Sequence, residues 1–279
     1  MAVPTARSPR PDAWLRRYGA EPPSAEATLV CLPHAGGAPT FFRDWPELMS
    51  PEVDVLAMCY PGRQDRLHEL PVTGMAEMAE AVATALVPLA DRPLAVFGHS
   101  MGAAVGYEAA QLLRARHGIE LSYLFVSAMV PPHLLRRRSR HLLSDAGLVA
   151  ELLAQGGTDA EVLADDELRA VVLPAVRADY RLIDTYRHDV GAEPLDTPIF
   201  AYRGRQDPAV SETAVREWRR YTRGTAGARS FPGGHFSLRE ARRTLTADLR
   251  ERLLASVRPV TRPSGAGRER AACRANAPR

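Results

Sequence analysis

Pro93-Leu94-Ala95-Val96-Phe97-Gly98-His99-Ser100-Met101-Gly102 is the stretch of sequence from which the fold can be predicted. Its first half is an apolar run typical of a buried strand, and small residues at helical spacing follow it. A serine flanked by glycines two positions away is typical of a sharp strand-to-helix turn, because a Cβ at either glycine would collide with the turn. We therefore expect Ser100 to be exposed above a sheet, beside the free N–H groups of a helix N-terminus.

The rest of the chain alternates between short apolar runs and segments with helical spacing. The apolar runs cover residues 27–32, 53–58, 94–97, 123–126, 199–202 and 229–231. The helical segments cover residues 73–90, 102–116, 211–222 and 238–256. Such alternation predicts an α/β fold in which helices flank a mostly parallel central sheet.

One segment interrupts this alternation. Residues 133–189 contain no strand pattern, and their apolar residues recur at helical spacing. Pro174 is expected to kink or divide the second helical run in this segment. The length of the segment favours a helical insertion between two strands over ordinary crossover helices, which are usually shorter.

The two ends of the chain differ in composition from the body. Residues 1–25 are rich in proline, arginine and alanine, which predicts a flexible N-terminal segment with a short helical piece near Trp14. Residues 26–257 are predicted to form one domain that includes the insertion. Residues 258–279 are basic and lack periodicity, which predicts a disordered tail.

Composition narrows the classes of function. A net charge of +3 over 279 residues does not favour nucleic acid as a partner. No run reaches the roughly 18 apolar residues of a membrane span, and the first residues lack the apolar core of a signal peptide. We therefore expect a cytoplasmic monomer without membrane contact.

The three cysteines do not suggest a disulfide framework. No metal, P-loop or dinucleotide motif occurs, so we expect neither a metal nor a cofactor.

A serine nucleophile needs a base, and the base needs an acid that orients it. In α/β-hydrolases these residues follow the order serine, acid, histidine along the chain. Of the eight histidines, His235 fits best, because Pro232-Gly233-Gly234 is a flexible turn after the run 229–231. Asp207 lies in the loop after the run 199–202. The predicted catalytic residues are therefore Ser100, Asp207 and His235.

Both of these assignments have simpler alternatives. A lone histidine is more often a surface or core residue, and Asp207 could be a turn or N-cap residue before the next helix. Asp184, Asp189 and Asp196 are alternative acids, but the first two belong to the helical insertion or its end, and Asp196 precedes its strand. Order, position and loop chemistry together favour Asp207 and His235.

A tetrahedral intermediate needs two N–H donors for its negative charge. Met101, directly after the nucleophile, supplies the first. The loop Pro33-His34-Ala35-Gly36-Gly37-Ala38 follows the first run, and its glycines let the backbone turn N–H groups inward. A tight glycine turn without a catalytic role is the alternative. His34 and His99 flank these loops and are predicted to order or pack them.

Five motifs in this order and spacing resemble type II thioesterases, the stand-alone α/β-hydrolases that accompany polyketide synthases and nonribosomal peptide synthetases. The resemblance covers about residues 25–255, and the combination is more specific than any single motif. The motifs are Pro33-His34-Ala35-Gly36-Gly37, Tyr60-Pro61-Gly62-Arg63, Gly98-His99-Ser100-Met101-Gly102, Gly204-Arg205-Gln206-Asp207 and Gly233-Gly234-His235-Phe236.

The resemblance implies a reaction and a partner. Ser100 would attack the thioester that joins an acyl group to the phosphopantetheine arm of an acyl or peptidyl carrier protein. Water activated by His235 would then release the acid, which clears stalled or wrongly loaded acyl groups. By the same resemblance Ala35 gives the second oxyanion N–H, and the insertion 133–189 is a helical lid over the substrate. The arginines around Arg63 belong to the family pattern without an assigned role.

Two other functions are compatible with the same sequence features. One is a general carboxylesterase or acyl-CoA thioesterase on the same fold, since fold does not determine substrate. The other is a binding module that has lost its chemistry, against which the ordered triad argues. Arg136-Arg137-Arg138 with Arg140 could attract an acidic carrier protein, although a solvated run of charge is the simpler interpretation.

Overall fold

Seven strands form one sheet in the order β1-β3-β2-β4-β5-β6-β7 in the computed structural model, which describes residues 13–157 and 160–257. β1 pairs with β3 in antiparallel orientation, and every other pairing is parallel. The predicted α/β fold is thus confirmed. The strands are β1 (Leu15–Arg17), β2 (Ala27–Leu32), β3 (Val53–Met58), β4 (Leu94–His99), β5 (Tyr123–Ser127), β6 (Ile199–Gly204) and β7 (Ala226–Phe231).

Helices connect the strands and cover both faces of the sheet. The α-helices are α1 (Trp45–Met49), α2 (Met75–Leu86), α3 (Met101–Leu112), α4 (Asp145–Gln155), α5 (Ala160–Ala164), α6 (Asp166–Thr185), α7 (Glu212–Arg216) and α8 (Arg242–Val257). A π-turn extends α3 over Leu113–His117. Single 3-10 turns lie at Pro39–Phe42, Gln64–Arg66, Val87–Leu89, Pro132–Leu134, Arg140–Leu142 and Glu217–Tyr221.

Alternate side chains of strands β2 to β6 enter two separate cores. In β2, Val30 and Leu32 pack with α2 and α3, whereas Leu29 and Cys31 face the opposite core with α1 and α8. All six residues of β2 are buried, as expected for a strand covered on both faces. The two cores hold the strand ends in fixed register, and Leu32 lies opposite Gly98.

The N-terminal segment departs from its prediction. Leu15–Arg17 form edge strand β1 against β3, where a short helix and flexibility were expected. Trp14 is only 3% exposed, and its carbonyl accepts a 2.7 Å hydrogen bond from the Cys59 N–H. Burial of the large Trp14 indole stabilises an ordered strand here, although the local composition favours flexibility. The expectations for residues 1–12 and 258–279 lie outside the described residues.

The insertion contains helices α4, α5 and α6, as the spacing predicted. α6 runs through Pro174 as one helix, so the division, one of the two effects expected of this proline, is absent. The apolar face of α6, which includes Val176 and Tyr180, is buried in the core on the α3 side of the sheet. This packing holds the helix together although proline removes one backbone hydrogen bond. Among the described helices, none is long and apolar enough to span a bilayer.

Candidate active site

The turn from β4 into α3 places Ser100 at the end of the sheet. Ser100 has φ of 53° and ψ of −120°, a backbone conformation that non-glycine residues rarely adopt. A Cβ on Gly98 would lie 2.3 Å from the Gly102 carbonyl oxygen, and one on Gly102 would lie 2.2 Å from that of Leu32. Only glycine fits either position, because backbone atoms occupy the space that a side chain would need. The sequence-predicted elbow is therefore present.

A continuous chain of hydrogen bonds joins the three residues predicted to be catalytic. His235 Nε2 lies 3.0 Å from Ser100 Oγ, and His235 Nδ1 lies 2.8 Å from Asp207 Oδ2. The Asp207 side chain is 1% exposed and that of His235 is 15% exposed. A carboxylate on Nδ1 selects the tautomer whose Nε2 can accept the serine proton. The arrangement can therefore convert Ser100 into a nucleophile.

Two neighbouring loops hold Asp207 against His235. The Gln206 N–H donates to the Gly233 carbonyl at 3.0 Å, and the Gln206 side-chain oxygen accepts from the Gly233 N–H. A Cβ on Gly204 would lie 2.0 Å from the Gly234 carbonyl oxygen, which requires glycine there. The second oxygen of Asp207 accepts the Ala209 N–H at 2.9 Å. Sequence reasoning had assigned no role to Gln206.

The alternative acids lie elsewhere. Asp184 binds Arg140 at 3.0 Å and His141 at 3.1 Å. Asp189 accepts the Gly191 N–H at 2.9 Å. Asp196 lies near Arg223, 3.9 Å away. Their described contacts are with these other groups, whereas Asp207 contacts His235. Arg140 is thereby tied to α6 and does not form one free cluster with the arginines before it.

The loop after β2 forms a tight turn beside the elbow. The Gly37 N–H donates to the His34 carbonyl at 2.9 Å, and Gly36 has φ of 76°. A positive φ at the third residue of such a turn favours glycine. Met101 is the first residue of α3, where N–H groups have no intrahelical partner. Both proposed oxyanion donors, Ala35 and Met101, thus follow the adjacent strands β2 and β4.

A buried ion pair that the sequence motifs did not reveal holds this loop in place. Arg63 donates to both carboxylate oxygens of Asp179 at 2.9 Å, and Asp179 also accepts the Gly36 N–H at 2.8 Å. The side chains are 8% and 0% exposed, respectively. Asp179 interrupts the apolar face of α6 between Val176 and Tyr180, and a charge in a buried stripe is a signal that could have found it.

Aromatic rings and two further histidines surround His235. The His34 ring contacts Phe41 and Phe236 at centroid distances of 4.9 and 4.7 Å, and His99 lies 5.4 Å from His235. Burial, followed by the nearby His235, Arg239 and Arg63 charges, lowers the pKa of His34 to about 3. Burial also lowers the pKa of His99 well below its usual value. Both imidazoles are therefore neutral near pH 7. His99 packs against the His235 ring, and His34 packs against Phe236, the residue next to the base.

The insertion touches the same aromatic group. A Cβ on Gly157 would lie 2.3 Å from Phe236, and the Gly157 carbonyl accepts a 3.0 Å hydrogen bond from Arg239. The guanidinium of Arg239 lies over the rings of Phe41 and Phe236. The segment after α4 therefore rests on the residue next to His235. Phe42 and Trp45, by contrast, are buried in the α1–α8 core.

The sheet, the elbow and the Ser100–His235–Asp207 hydrogen bonds define an α/β-hydrolase. The chain belongs to the thioesterase family, because the sequence model of the thioesterase domain matches residues 27–254. It is thus a hydrolase that acts on thioesters, and the family resemblance of its motifs is confirmed. In the described ranges no cluster of three or more histidine, cysteine or acidic side chains could hold a metal ion.

The chain is similar to other thioesterases, two of which come from named biosynthetic clusters or pathways. The chain is 42% identical over 242 residues to thioesterase PikA5 of Streptomyces venezuelae, covering 86% of this chain and 85% of the relative. The type II thioesterase BorB of the borrelidin cluster has 42% identity and a TM-score of 0.80, with 87% and 98% of the two chains covered. RedJ of the Streptomyces coelicolor prodiginine pathway has 38% identity and a TM-score of 0.77, with 90% and 95% covered.

Proposed function

We propose that this chain is a type II thioesterase that hydrolyses acyl groups from the phosphopantetheine arm of acyl or peptidyl carrier proteins. Its task is to clear stalled or wrongly loaded acyl groups from a polyketide or nonribosomal peptide assembly line. The observation that carries the proposal is the hydrogen-bonded chain from Ser100 through His235 to Asp207. Similarity to type II thioesterases supports the choice of substrate.

The geometry supports a two-step reaction. Ser100 Oγ attacks the thioester carbonyl carbon while its proton passes to His235 Nε2. The resulting oxyanion accepts hydrogen bonds from the N–H groups of Ala35 and Met101. The C–S bond then breaks, and the leaving thiol takes the proton from His235. Asp207 stabilises the imidazolium throughout.

Water completes the reaction. His235 removes a proton from water as its oxygen attacks the acyl-Ser100 carbonyl, and the second tetrahedral intermediate collapses to a free acid and Ser100. The proton returns from His235 to Ser100 Oγ. Water is the only second substrate, so the proposed reaction uses no cofactor, and the phosphopantetheine belongs to the carrier protein.

We propose that the insertion 133–189 acts as the lid over the acyl group. The contact of Gly157 with Phe236 and Arg239, next to the base, supports this role. Water exclusion by such a cover strengthens the electrostatic interactions in the site. The cytoplasmic location and the monomeric state expected from the sequence stay predictions.

The experiment is a comparison of three substrate classes. Mass spectrometry follows a panel of acyl-loaded carrier proteins, while acyl-CoA and a simple oxygen ester with the same acyl groups are assayed in parallel. We expect the highest kcat/KM on the carrier proteins and no turnover by Ser100→Ala. A higher kcat/KM on the oxygen ester would identify a carboxylesterase, and a preference for acyl-CoA would identify an acyl-CoA thioesterase.

A second measurement separates an enzyme from a binding module. A serine-directed phosphonate labels the protein, and the mass increase is localised by peptide analysis. We expect one label on Ser100 and none in Ser100→Ala. Absence of labelling in the unmodified protein, together with intact carrier-protein binding, would indicate a module without chemistry.

We propose that Arg136, Arg137 and Arg138 attract the carrier protein. All three are exposed, and within the described ranges none has a carboxylate partner, whereas Arg140 is bound to Asp184. Reversal of the three charges to glutamate is expected to raise KM for carrier proteins and flatten its salt dependence. Reversal of Arg216, Arg219 and Arg220, which pair with Glu212 and Glu217, is the charge-matched control. Unchanged KM and salt dependence in the first variant would remove the docking role.

A further inference from the structure

We infer that Asp179 is a positioning residue for the oxyanion hole. Its carboxylate, on helix α6 of the insertion, holds the loop 33–38 in the one orientation that aims the Ala35 N–H at the substrate. This inference rests on the proposed function, because it assumes that Ala35 donates to the oxyanion. Under this inference Arg63 and α6 influence the reaction indirectly, through the position of the Ala35 N–H.

Three hydrogen bonds hold the turn, and together they involve the four successive peptide groups between His34 and Ala38. The His34 carbonyl accepts the Gly37 N–H at 2.9 Å, and the Gly36 N–H donates to Asp179 at 2.8 Å. The Gly37 carbonyl accepts from Arg63 Nη1 at 2.9 Å. Two of these three anchors therefore depend on the Arg63–Asp179 pair.

Those anchors determine where the Ala35 N–H points. The His34 carbonyl and the Ala35 N–H belong to one planar trans peptide and point in opposite directions. The turn bond therefore sets the direction of the Ala35 N–H, provided that Gly36 keeps its positive φ of 76°. Asp179 maintains that conformation by accepting the Gly36 N–H. Without it, glycine could rotate the peptide at little cost.

The buried Arg63–Asp179 pair is expected to contribute little to the stability of the fold. Both partners are removed from water, and the desolvation cost of a buried pair offsets most of its Coulomb energy. An apolar pair of the same volume would stabilise the contact at least as well. What the charged pair supplies is a carboxylate with one oxygen bonded to both Arg63 and a backbone N–H, which specifies the loop conformation.

The same contact ties the oxyanion loop to the insertion. Val176, one turn before Asp179 on α6, lies 2.8 Å from where a Cβ on Gly36 would sit. Helix α6 thus packs directly on the turn, and the Asp179 side chain of this helix accepts the Gly36 N–H. The hole is therefore correctly formed only when α6 lies against the loop.

The test replaces Asp179 by asparagine, which keeps the shape of the side chain. If the amide oxygen accepts from both Arg63 and the Gly36 N–H, the amide N–H₂ group is placed against Arg63, where it repels the second guanidinium N–H. We expect kcat to fall by about tenfold to a hundredfold, less than for deletion of an oxyanion donor, with KM nearly unchanged. Asp184→Asn is the matched control, because it breaks another ion pair of α6, between the buried Asp184 and the partly buried Arg140, that does not touch the loop. It should retain kcat.

A second readout isolates the oxyanion hole. A p-nitrophenyl phosphonate forms a bond from Ser100 Oγ to phosphorus, releases nitrophenolate and passes the serine proton to His235. Its rate depends on the hole and not on the carrier protein. We expect Asp179→Asn to slow phosphonylation by the same factor as kcat, without a shift of the pH–rate profile. Asp179→Glu should restore part of the rate.

The outcomes are distinguishable. Equal phosphonylation rates in Asp179→Asn and the unmodified protein would overturn the positioning role, as would an equal loss in Asp184→Asn. Failure of the unmodified protein to react would instead overturn the proposed function. If Asp179→Asn does not fold, Arg63→Lys replaces it, since lysine keeps the charge but cannot reach both Asp179 and the Gly37 carbonyl. An unchanged rate in Arg63→Lys would also count against the inference.

Discussion

His235 Nε2 lies 3.0 Å from Ser100 Oγ, although 135 residues separate them in the chain. The two meet because parallel strands β4 and β7 end at the same edge of the sheet, and the loops that follow them converge there. Asp207 joins them from the end of β6. The hydrogen-bonded chain of Ser100, His235 and Asp207 therefore depends on the order of three strands in one sheet.

The contact between His235 and Asp207 predicts a large catalytic effect. Asp207→Asn keeps the shape but favours the tautomer with the proton on the wrong nitrogen, so we expect kcat to fall by roughly 10⁴-fold. Steady-state kinetics on an acyl-carrier protein measures this. Asp196→Asn, which removes an exposed carboxylate 3.9 Å from Arg223, is the control and should retain full activity. Comparable kcat values for the two variants would exclude Asp207 as the orienting acid.

The close approach of α3 to β2 makes Gly102 intolerant of a side chain. A Cβ there would lie 2.2 Å from the Leu32 carbonyl oxygen and 2.7 Å from that of Pro33. We expect Gly102→Ala to lower the free energy of unfolding by about 2 kcal/mol or more, as overpacking against backbone does, and to remove activity. Urea unfolding measures the first effect.

Gly74 provides the comparison for this prediction. It is the N-cap of α2, has no atom within 4 Å of a built Cβ, and has a negative φ. Gly74→Ala should change stability by less than about 1 kcal/mol. If both alanine variants unfold at the same urea concentration, steric exclusion at the elbow is not what requires Gly102.

Burial of His34 predicts that stability falls in acid. The folded-state pKa of about 3 is below the unfolded value of 6.5. Between these pH values the unfolded state binds a proton that the folded state does not, so stability decreases as pH falls below about 6.5 and is unaffected above it. The slope for one proton is about 1.4 kcal/mol per pH unit. His99, whose pKa is also lowered, acts in the same direction.

Urea unfolding at pH 4 to 7 measures this slope. We expect His34→Leu to reduce the pH dependence of the free energy of unfolding by about one proton, that is, about 1.4 kcal/mol per pH unit. His117→Leu, at an exposed position, should leave the slope unchanged. A slope in His34→Leu that matches the unmodified protein would show that His34 is protonated in the folded state.

Edge strand β1 makes the segment around Trp14 part of the fold. The indole is 3% exposed, and the Arg66 guanidinium lies 4.3 Å from its ring centroid. Trp14→Ala should lower the free energy of unfolding by about 3 to 5 kcal/mol, whereas Trp14→Phe should cost less. Thermal and urea unfolding check both variants. A flexible segment, as the composition suggested, would instead show no change in either.

Local patterns were enough to predict strands β2 to β7 and the elbow. Each of the six runs coincides with all or part of a strand. In β2 to β5 the reason is burial on both faces, which demands continuous apolar residues, whereas in β7 only Phe231 is buried. Ser100, Asp207 and His235 could be chosen by order and loop chemistry. The edge strand was missed because the indole of Trp14, and not the composition around it, determines the conformation there.

The sequence by itself determined which residues form the candidate active site and at which edge of the sheet they lie. The tertiary structure alone decided their contacts over long sequence separations. Arg63 and Asp179 are 116 residues apart, and only the packing of α6 on the oxyanion loop brings them within 2.9 Å. Such pairing depends on helix placement, which periodicity does not encode. The Gly36 N–H finds its acceptor for the same reason, because the carboxylate it needs comes from the insertion.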